Sequence, residues 1–199
     1  MGRGEQVEIV GQTEESRERG IADEELYKLY LETLDSRYLK ELLARYREEL
    51  TFFIYGYVRN MEDAEDIMLE AFSVAATSKG KFSGKSSFKT WLFAIGKNQG
   101  LNFLRKNKQA LPLNEDIISS SATPDVEILK SERNKQLYEA LRQINPEYRQ
   151  ALHLTYFEGM SNDEVALVMK KSKKQVYNLI ARGKQACREA LIKLGFERA

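Results

Sequence analysis

The chain has 199 residues, 42% of them hydrophobic, which is enough for one or two domains with modest cores of their own. Its 31 lysines and arginines nearly balance 30 aspartates and glutamates, and the formal net charge is only +1. The single cysteine, Cys187, excludes an internal disulfide, and no apolar run approaches the roughly 18 residues of a membrane span. We therefore expect a cytoplasmic protein that does not insert into a membrane.

The first half of the chain predicts a tail followed by four helices. Residues 1–22 are polar and contain several glycines, a composition typical of disordered segments. Leucines and aromatic residues then recur at helical spacing. They predict helices over about residues 23–34, 39–57, 62–77 and 87–107. Two glycines and four serines in SKGKFSGKSS interrupt the pattern before the last of these helices.

A break in composition divides the chain into two parts. Residues 109–126 combine proline, serine and mixed polarity, as flexible linkers do. Helices resume at about residue 127, and almost no segment shows a convincing strand-like alternation. The sequence thus predicts an all-α protein with helical domains over residues 23–108 and 127–199.

Within the second domain, Asn145 and Pro146 predict a helix start with proline at its first position, and Gly159 predicts its end. Two further helix starts follow closely. Ser161 with Glu164 and Ser172 with Gln175 both match the capping-box pattern. Only about three residues separate these two helices, so the helices must cross sharply, as in a helix-turn-helix.

The second helix of this pair has a polar, basic face that suits DNA. The N-terminal turn of a recognition helix reaches base edges in the major groove. Asn178 and Gln175 can pair with adenine, whereas lysine and arginine suit guanine or phosphate, although Gln175 is partly committed to its cap. The alternative is a plain helical hairpin with a basic outer face. Lys170 occupies the turn position where glycine is usual.

Charges are segregated into three blocks. Residues 60–78 contain five acids and no lysine or arginine, residues 79–108 contain eight bases and no acid, and residues 170–188 contain seven bases and no acid. A solvated helix face normally mixes signs, because like charges one turn apart repel. The blocks therefore indicate separate partners, with nucleic acid favoured for the basic ones.

Three motifs resemble those of one protein family. DAEDIMLEAF (63–72), FSGKSSFKTWLFAIGKNQGLNFLRK (82–106) and INPEYRQALHLTYFEGMSNDEVALVM (144–169) resemble, in that order, region 2.2, regions 2.3 and 2.4, and region 4 of bacterial RNA polymerase sigma factors. The spacing, with a short linker in place of region 3, is similar to the extracytoplasmic-function (ECF) group of the sigma-70 family. The resemblance covers about residues 23–108 and 127–195.

The resemblance implies a promoter-specificity subunit that binds core RNA polymerase, recognises the −35 and −10 elements and assists DNA melting. It implies no covalent chemistry, so the chain would not be an enzyme and would need no cofactor or metal. Core contacts would include the β flap and the β′ clamp helices. The residues implied for the clamp helices are Asp63, Asp66, Leu69 and Glu70.

The resemblance also assigns the DNA contacts. The −10 strand would meet Lys81, Phe82, Ser83, Lys85, Ser86, Lys89, Phe93 and Lys97. Stacking would fall to Phe82 and Phe93, since Phe88, Trp91 and Leu92 favour a core position. The −35 groove would meet Lys173, Lys174, Gln175, Tyr177, Asn178 and Arg182. Glu115 and Asp116 could mimic template charge in the polymerase cleft, and an anti-sigma protein is an implied partner.

Three other functional classes remain open at this point. A free-standing helix-turn-helix repressor or activator would explain residues 127–195, but it would leave the acidic helix and the basic, aromatic loop without a role. A structural adaptor would not require two basic blocks. An enzyme is disfavoured because His153 lies mid-helix, Cys187 repeats a buried spacing, and no metal cluster or nucleophile–base pair is evident.

Overall fold

The computed structural model describes residues 20–78, 82–110 and 132–196, with the side chains of residues 108–110 and 132–135 left out. Within these ranges the chain is helical and has no strand, which confirms the all-α fold class. The helices are α1 (Asp23–Thr33), α2 (Ser36–Val58), α3 (Met61–Thr77), α4 (Phe88–Ala110), α5 (Glu132–Gln143), α6 (Pro146–Leu152, continued by the π-helical turn His153–Phe157), α7 (Asn162–Met169) and α8 (Lys173–Lys193).

Nearly all of the tail predicted over residues 1–22 and of the linker predicted over residues 109–126 lies outside the described residues. The exceptions are residues 20–22, which precede α1, and residues 109–110, which end α4. Within the described ranges, no helix is long and apolar enough to cross a membrane.

Helices α1–α4 form a bundle around one apolar core. Helix α2 buries Leu42, Leu50, Phe53 and Ile54, which recur at the three- and four-residue spacing of one helix face. Helix α4 crosses α2 closely at Gly96, where a Cβ atom would lie 2.8 Å from Leu50 Cδ1. Glycine allows this close approach, because any side chain at position 96 would require the Leu50 side chain to move.

Helix α3 starts at a side-chain cap that the sequence pattern did not single out. The Asn60 side chain accepts a hydrogen bond from the Asp63 amide, 3.0 Å away. Glu62 and Asp63 lie in the first turn, where negative charge is favourable beside the free amides of a helix N-terminus. Ala64, Ile67, Met68 and Ala71 are buried on the inner face, so the acids point outward.

Helices α5–α8 form the second unit, and its local structure confirms the predicted helix starts. The Asn145 side chain caps α6, with Pro146 at the first helical position. Both capping boxes, at Ser161 and Ser172, are present. Lys170 takes the left-handed conformation between α7 and α8, with φ 54° and ψ 48°. The two helices therefore form the predicted helix-turn-helix.

The two helical units pack against each other. One buried apolar cluster joins Phe53 and Phe93 of the first unit to Leu154, Val165 and Val168 of the second. Helix α7 lies on α4, and α6 lies on α2. The sequence patterns predicted the two units but not this contact, which decides which surfaces of α4 are accessible.

Candidate nucleic-acid interface

The acidic face of α3 consists of Asp63, Asp66, Leu69 and Glu70 and is directed to solvent. Asp66 and Glu70 are exposed, and Asp63 is partly exposed. Leu69 is 52% exposed between these carboxylates, which is unusual for a leucine that has an apolar core to join. Within the described ranges, no basic side chain forms an ion pair with the three acids. The face therefore presents uncompensated negative charge around an apolar centre.

The loop before α4 is divided between solvent and core. Lys81 lies outside the described residues. Ser83 and Lys85 are exposed, and Ser86 is partly exposed. Phe82 is partly buried, with its ring centroid 5.7 Å from Tyr27 and 5.2 Å from Trp91. The phenylalanine predicted to stack on a base therefore rests on an aromatic cluster at the edge of the loop.

The side chains expected in the core beside the loop are placed as predicted. Phe88 and Leu92 are fully buried, and Trp91 is partly buried against Phe82 and Phe88. These side chains fix the start of α4 on the bundle, and they give the basic loop a rigid apolar floor.

The α4 face, consisting of Lys89, Phe93 and Lys97, is covered. Phe93 is 0% exposed and Lys97 is 8% exposed. Lys97 Nζ donates to the Met169 carbonyl at the end of α7, 2.7 Å away. Burial, followed by the nearby positive charges of Lys170 and Lys171, lowers the pKa of this amine. The expectation that this face lies open to DNA does not hold in this conformation, because α7 occupies it.

Lys89 is held by the turn that follows α6. Its Nζ atom lies 2.9 Å from Glu158 Oε2 and donates to the Glu158 carbonyl oxygen at 3.1 Å. The other carboxylate oxygen of Glu158 lies 2.9 Å from His153 Nε2. Burial disfavours the charge on Glu158, but the contacts with His153 and then Lys89 outweigh it and hold the carboxyl pKa below its usual value.

The α8 face, in contrast, is entirely accessible. Its members are Lys173, Lys174, Gln175, Tyr177, Asn178 and Arg182, all of which are exposed. Tyr177 is 67% exposed, although a tyrosine ring would gain from burial. Val176, Gly183 and Cys187 are buried on the opposite side of the helix, and burial raises the pKa of the Cys187 thiol.

The Gln175 side chain accepts a hydrogen bond from the Ser172 amide, 2.8 Å away, which completes the capping box. Its oxygen is thus committed to the start of α8. Asn178, one turn farther along, is the amide on this face that remains available to a base edge.

Comparison with known proteins identifies the family. Residues 42–110 match the family described as Sigma-70 region 2, and residues 134–187 match Sigma-70, region 4. The RNA polymerase sigma factor CarQ of Myxococcus xanthus is 30% identical over 161 residues, which cover 79% of this chain and 91% of that protein. The ECF RNA polymerase sigma-E factor of Haemophilus influenzae is 28% identical over 148 residues, 68% of this chain and 77% of that protein.

The chain belongs to the ECF group of the sigma-70 family. The fold agrees with a solved structure of the Bartonella quintana sigma factor RpoE in complex with the anti-sigma factor NepR. That likeness has a TM-score of 0.59 at 19% identity and covers 80% of this chain and 98% of the other. As a sigma factor, the chain acts in promoter selection by RNA polymerase. Sigma factors are transcription initiation factors and not enzymes by themselves.

In this sigma factor, sequence reasoning missed the residues through which region 4 covers region 2. They are Arg149, Gln150, Glu158, Glu164 and Met169. Helical spacing gave no signal for Arg149 and Gln150, because the apolar residues around them assign another face of α6 to the inside. Both are buried, at a site where apolar residues would be usual.

Proposed function

We propose that this sigma factor binds core RNA polymerase through the acidic face of α3 and reads the −35 element with the α8 face. The observation that carries the proposal is the α8 face, where lysine, arginine and amide side chains stay exposed on a helix whose other side is buried. Helix α7 supports α8 across a sharp turn, the geometry with which recognition helices enter a major groove. Region 4 would also contact the β flap of the polymerase.

The −10 element is the partner of the loop at residues 82–86 and of the α4 face. Stacking contributes about 1–3 kcal/mol per base, which can offset the few kcal/mol needed to unstack one. Phe82 supports this role because its ring lies at the rim of the aromatic cluster, beside the exposed Lys85. Capture of a flipped base there would assist melting, which attraction of phosphates to lysine alone could not do.

Cellular partners follow from the family. The sigma factor works in the cytoplasm with core polymerase, and an anti-sigma protein is its expected negative regulator. The Bartonella quintana relative solved with an anti-sigma factor supports that expectation. With about six phosphates contacted, DNA affinity should fall roughly a thousandfold between 50 and 200 mM salt.

The experiment that tests the −35 assignment compares two substitutions on α8. Asn178→Ala should alter the preferred −35 sequence in a selection from randomised promoters, because it removes a base-reading amide. Lys184→Ala should weaken binding to all sequences alike, since its exposed ammonium lies outside the α8 face and would meet DNA phosphates. An unchanged sequence preference in Asn178→Ala would remove this residue from the reading surface.

The dependence on core polymerase separates this proposal from a free-standing helix-turn-helix regulator. Purified sigma factor alone should shift promoter DNA weakly in a gel, and added core polymerase should produce a tight complex. Equally tight binding without core polymerase would favour the regulator.

A further inference from the structure

The α4 face lies beneath region 4, and this placement conflicts with its proposed contact with single-stranded DNA. Building on the proposed function, we infer that region 4 is an intramolecular cover of the −10-reading face. The free sigma factor then rests in a closed, autoinhibited state. Opening of the contact between α4 and α7 would be required before the −10 strand can enter.

Lys97 shows the competition most directly. Its ammonium is buried and donates to the Met169 carbonyl at 2.7 Å, at the negative end of the α7 helix dipole. A lysine that tracks a DNA strand must direct the same ammonium at a phosphate. Because the ammonium is buried in the contact with α7, a phosphate cannot reach it there, so the closed contact and the strand contact exclude each other.

Lys89 gives a second, independent case. Region 4 presents the buried carboxylate of Glu158 to this ammonium, at 2.9 Å. A phosphate oxygen of a bound strand would have the same charge and would need the same donor. Glu158 therefore occupies the position of a phosphate, and Phe93, whose ring centroid lies 5.6 Å from Lys89 Nζ, is sealed beneath the same contact.

Glu164 connects the start of α4 to the cap of α7. One carboxylate oxygen accepts from the amide and hydroxyl of Ser161, as its own capping box requires. The other accepts from Thr90 Oγ1 at 3.0 Å and Ser87 Oγ at 3.2 Å. Region 4 thus places one acid on Lys89 and another on the two hydroxyls at the start of α4, as expected where polar groups are matched across an interface.

A second contact, between α2 and α6, explains a glycine inside a helix. Glycine in a helix interior is less stable than alanine by about 0.5–1 kcal/mol. A Cβ atom at Gly56 would lie 2.6 Å from Gln150 Nε2, and within 4 Å it would otherwise meet only Gln150 Cδ, at 3.7 Å. Arg149 also donates to the Gly56 carbonyl, 3.1 Å away. Among the described residues, it is therefore the Gln150 side chain of region 4 that would have to move if position 56 carried a Cβ atom.

The closed contact leaves the other two functional surfaces open. The acidic face of α3 and the α8 face are both exposed while the α4 face is covered. A closed molecule could therefore still meet core polymerase and duplex −35 DNA. Only access to the melted −10 strand would wait for region 4 to move.

Acetylation of lysines in the full-length, DNA-free chain tests for closure. Trace labelling with acetic anhydride, read by mass spectrometry, compares Lys97 with the exposed Lys85. Lys97 should react about tenfold more slowly, which corresponds to roughly one molecule in ten being open. Its lowered pKa leaves more reactive free amine, so slow labelling must come from burial. Equal rates at the two lysines would overturn the proposal.

Two substitutions should open the molecule. Gly56→Leu places a side chain where α6 lies, and Glu158→Gln removes the carboxylate charge from Lys89. Lys97 protection should fall in each variant and be lost in the double variant, while circular dichroism shows that the helices remain. The matched controls are Glu49→Leu, on an exposed part of α2, and Glu189→Gln, on an exposed part of α8; both should keep the protection. A double variant that stays protected would overturn the proposal.

Promoter opening by holoenzyme distinguishes inhibition from mere contact. The double variant should form open complexes at lower sigma concentration than wild type, by a factor equal to the inverse of the open fraction. Lost protection without this gain would overturn the inhibitory role. Failure of wild-type holoenzyme to open any promoter would instead refute the proposed function, and the lysine labelling would be unaffected.

Discussion

At the scale of single residues, Glu158 is the buried carboxylate that holds Lys89, a partly exposed lysine of the other region. Burial alone would raise its pKa, but the contacts with His153 and then with Lys89 lower the pKa overall. Tyr138 is the other titratable group near it, and burial together with the Glu158 charge raises the pKa of that phenol. A carboxyl whose pKa is lower in the folded than in the unfolded state stabilises the fold. This stabilisation is present above the unfolded pKa of 4.5, and it is lost as the pH falls through the folded value.

Glu158→Gln should lower the free energy of unfolding at pH 7 by about 1–3 kcal/mol, since it leaves Lys89 without its buried partner. The difference from wild type should shrink as the pH falls below 4.5, because the carboxyl is then protonated first in the unfolded chain and, at lower pH, in the folded one. Urea denaturation at several pH values measures this, with Glu189→Gln as the exposed control. A difference that stays constant down to pH 3 would contradict the role given to the charge.

Lys170 shows a different kind of residue effect. It holds the left-handed conformation at the helix-turn-helix turn, with φ 54°. For residues other than glycine this conformation costs roughly 1–2 kcal/mol. Lysine in place of the usual glycine therefore leaves the turn intact but strained.

Lys170→Gly should raise the free energy of unfolding by up to about 1 kcal/mol. Relief of the backbone strain stabilises the fold, and the greater entropy that glycine gives the unfolded chain offsets part of this gain. Lys184→Gly, the same change in the interior of α8, should lower the free energy of unfolding by about 1 kcal/mol or slightly more. Its ammonium also lies 5.0 Å from the Tyr156 ring centroid. Thermal unfolding of both variants checks the signs, and destabilisation by Lys170→Gly would refute the strain.

At the scale of elements, sequence predicted best what short-range chemistry determines. The starts of α7 and α8 follow from capping boxes whose partners are three residues apart. The positions of Phe88 and Leu92 follow from helical spacing. The cover on the α4 face could not be predicted in this way, because Lys89 and Lys97 find their partners 69 and 72 residues away. Their spacing shows a shared face but not what lies on it.

Helix α3 carries the prediction that belongs to this scale. Reversal of Asp66 and Glu70 to lysine should abolish binding to core polymerase in a pulldown, because the acidic face would become basic. Folding should be unaffected, since both side chains are exposed and make no ion pair among the described residues. Reversal of Glu48 and Glu49 on α2 makes the same charge change elsewhere and should leave binding intact. Undiminished pulldown of the α3 variant would exclude α3 as the docking element.

At the scale of the whole molecule, near-neutral net charge conceals a separation of signs that the fold keeps. The acidic face of α3 and the α8 face stay exposed on different units, whereas Lys89 of the α4 face is paired with Glu158 of region 4. At Lys89 the free chain thus balances internally a charge that a DNA phosphate would otherwise neutralise. This arrangement could suppress nonspecific binding to nucleic acid before polymerase is engaged.

The central claim is that this sigma factor gives core polymerase its choice of promoter through two separate DNA-reading surfaces. Mapping of transcription start sites on chromosomal DNA, with core polymerase and the purified chain, measures this most directly. The account predicts starts that share two sequence elements at a fixed separation, and Asn178→Ala should change only the upstream one. Initiation nowhere above the level of core polymerase alone, or starts without a shared upstream element, would contradict it.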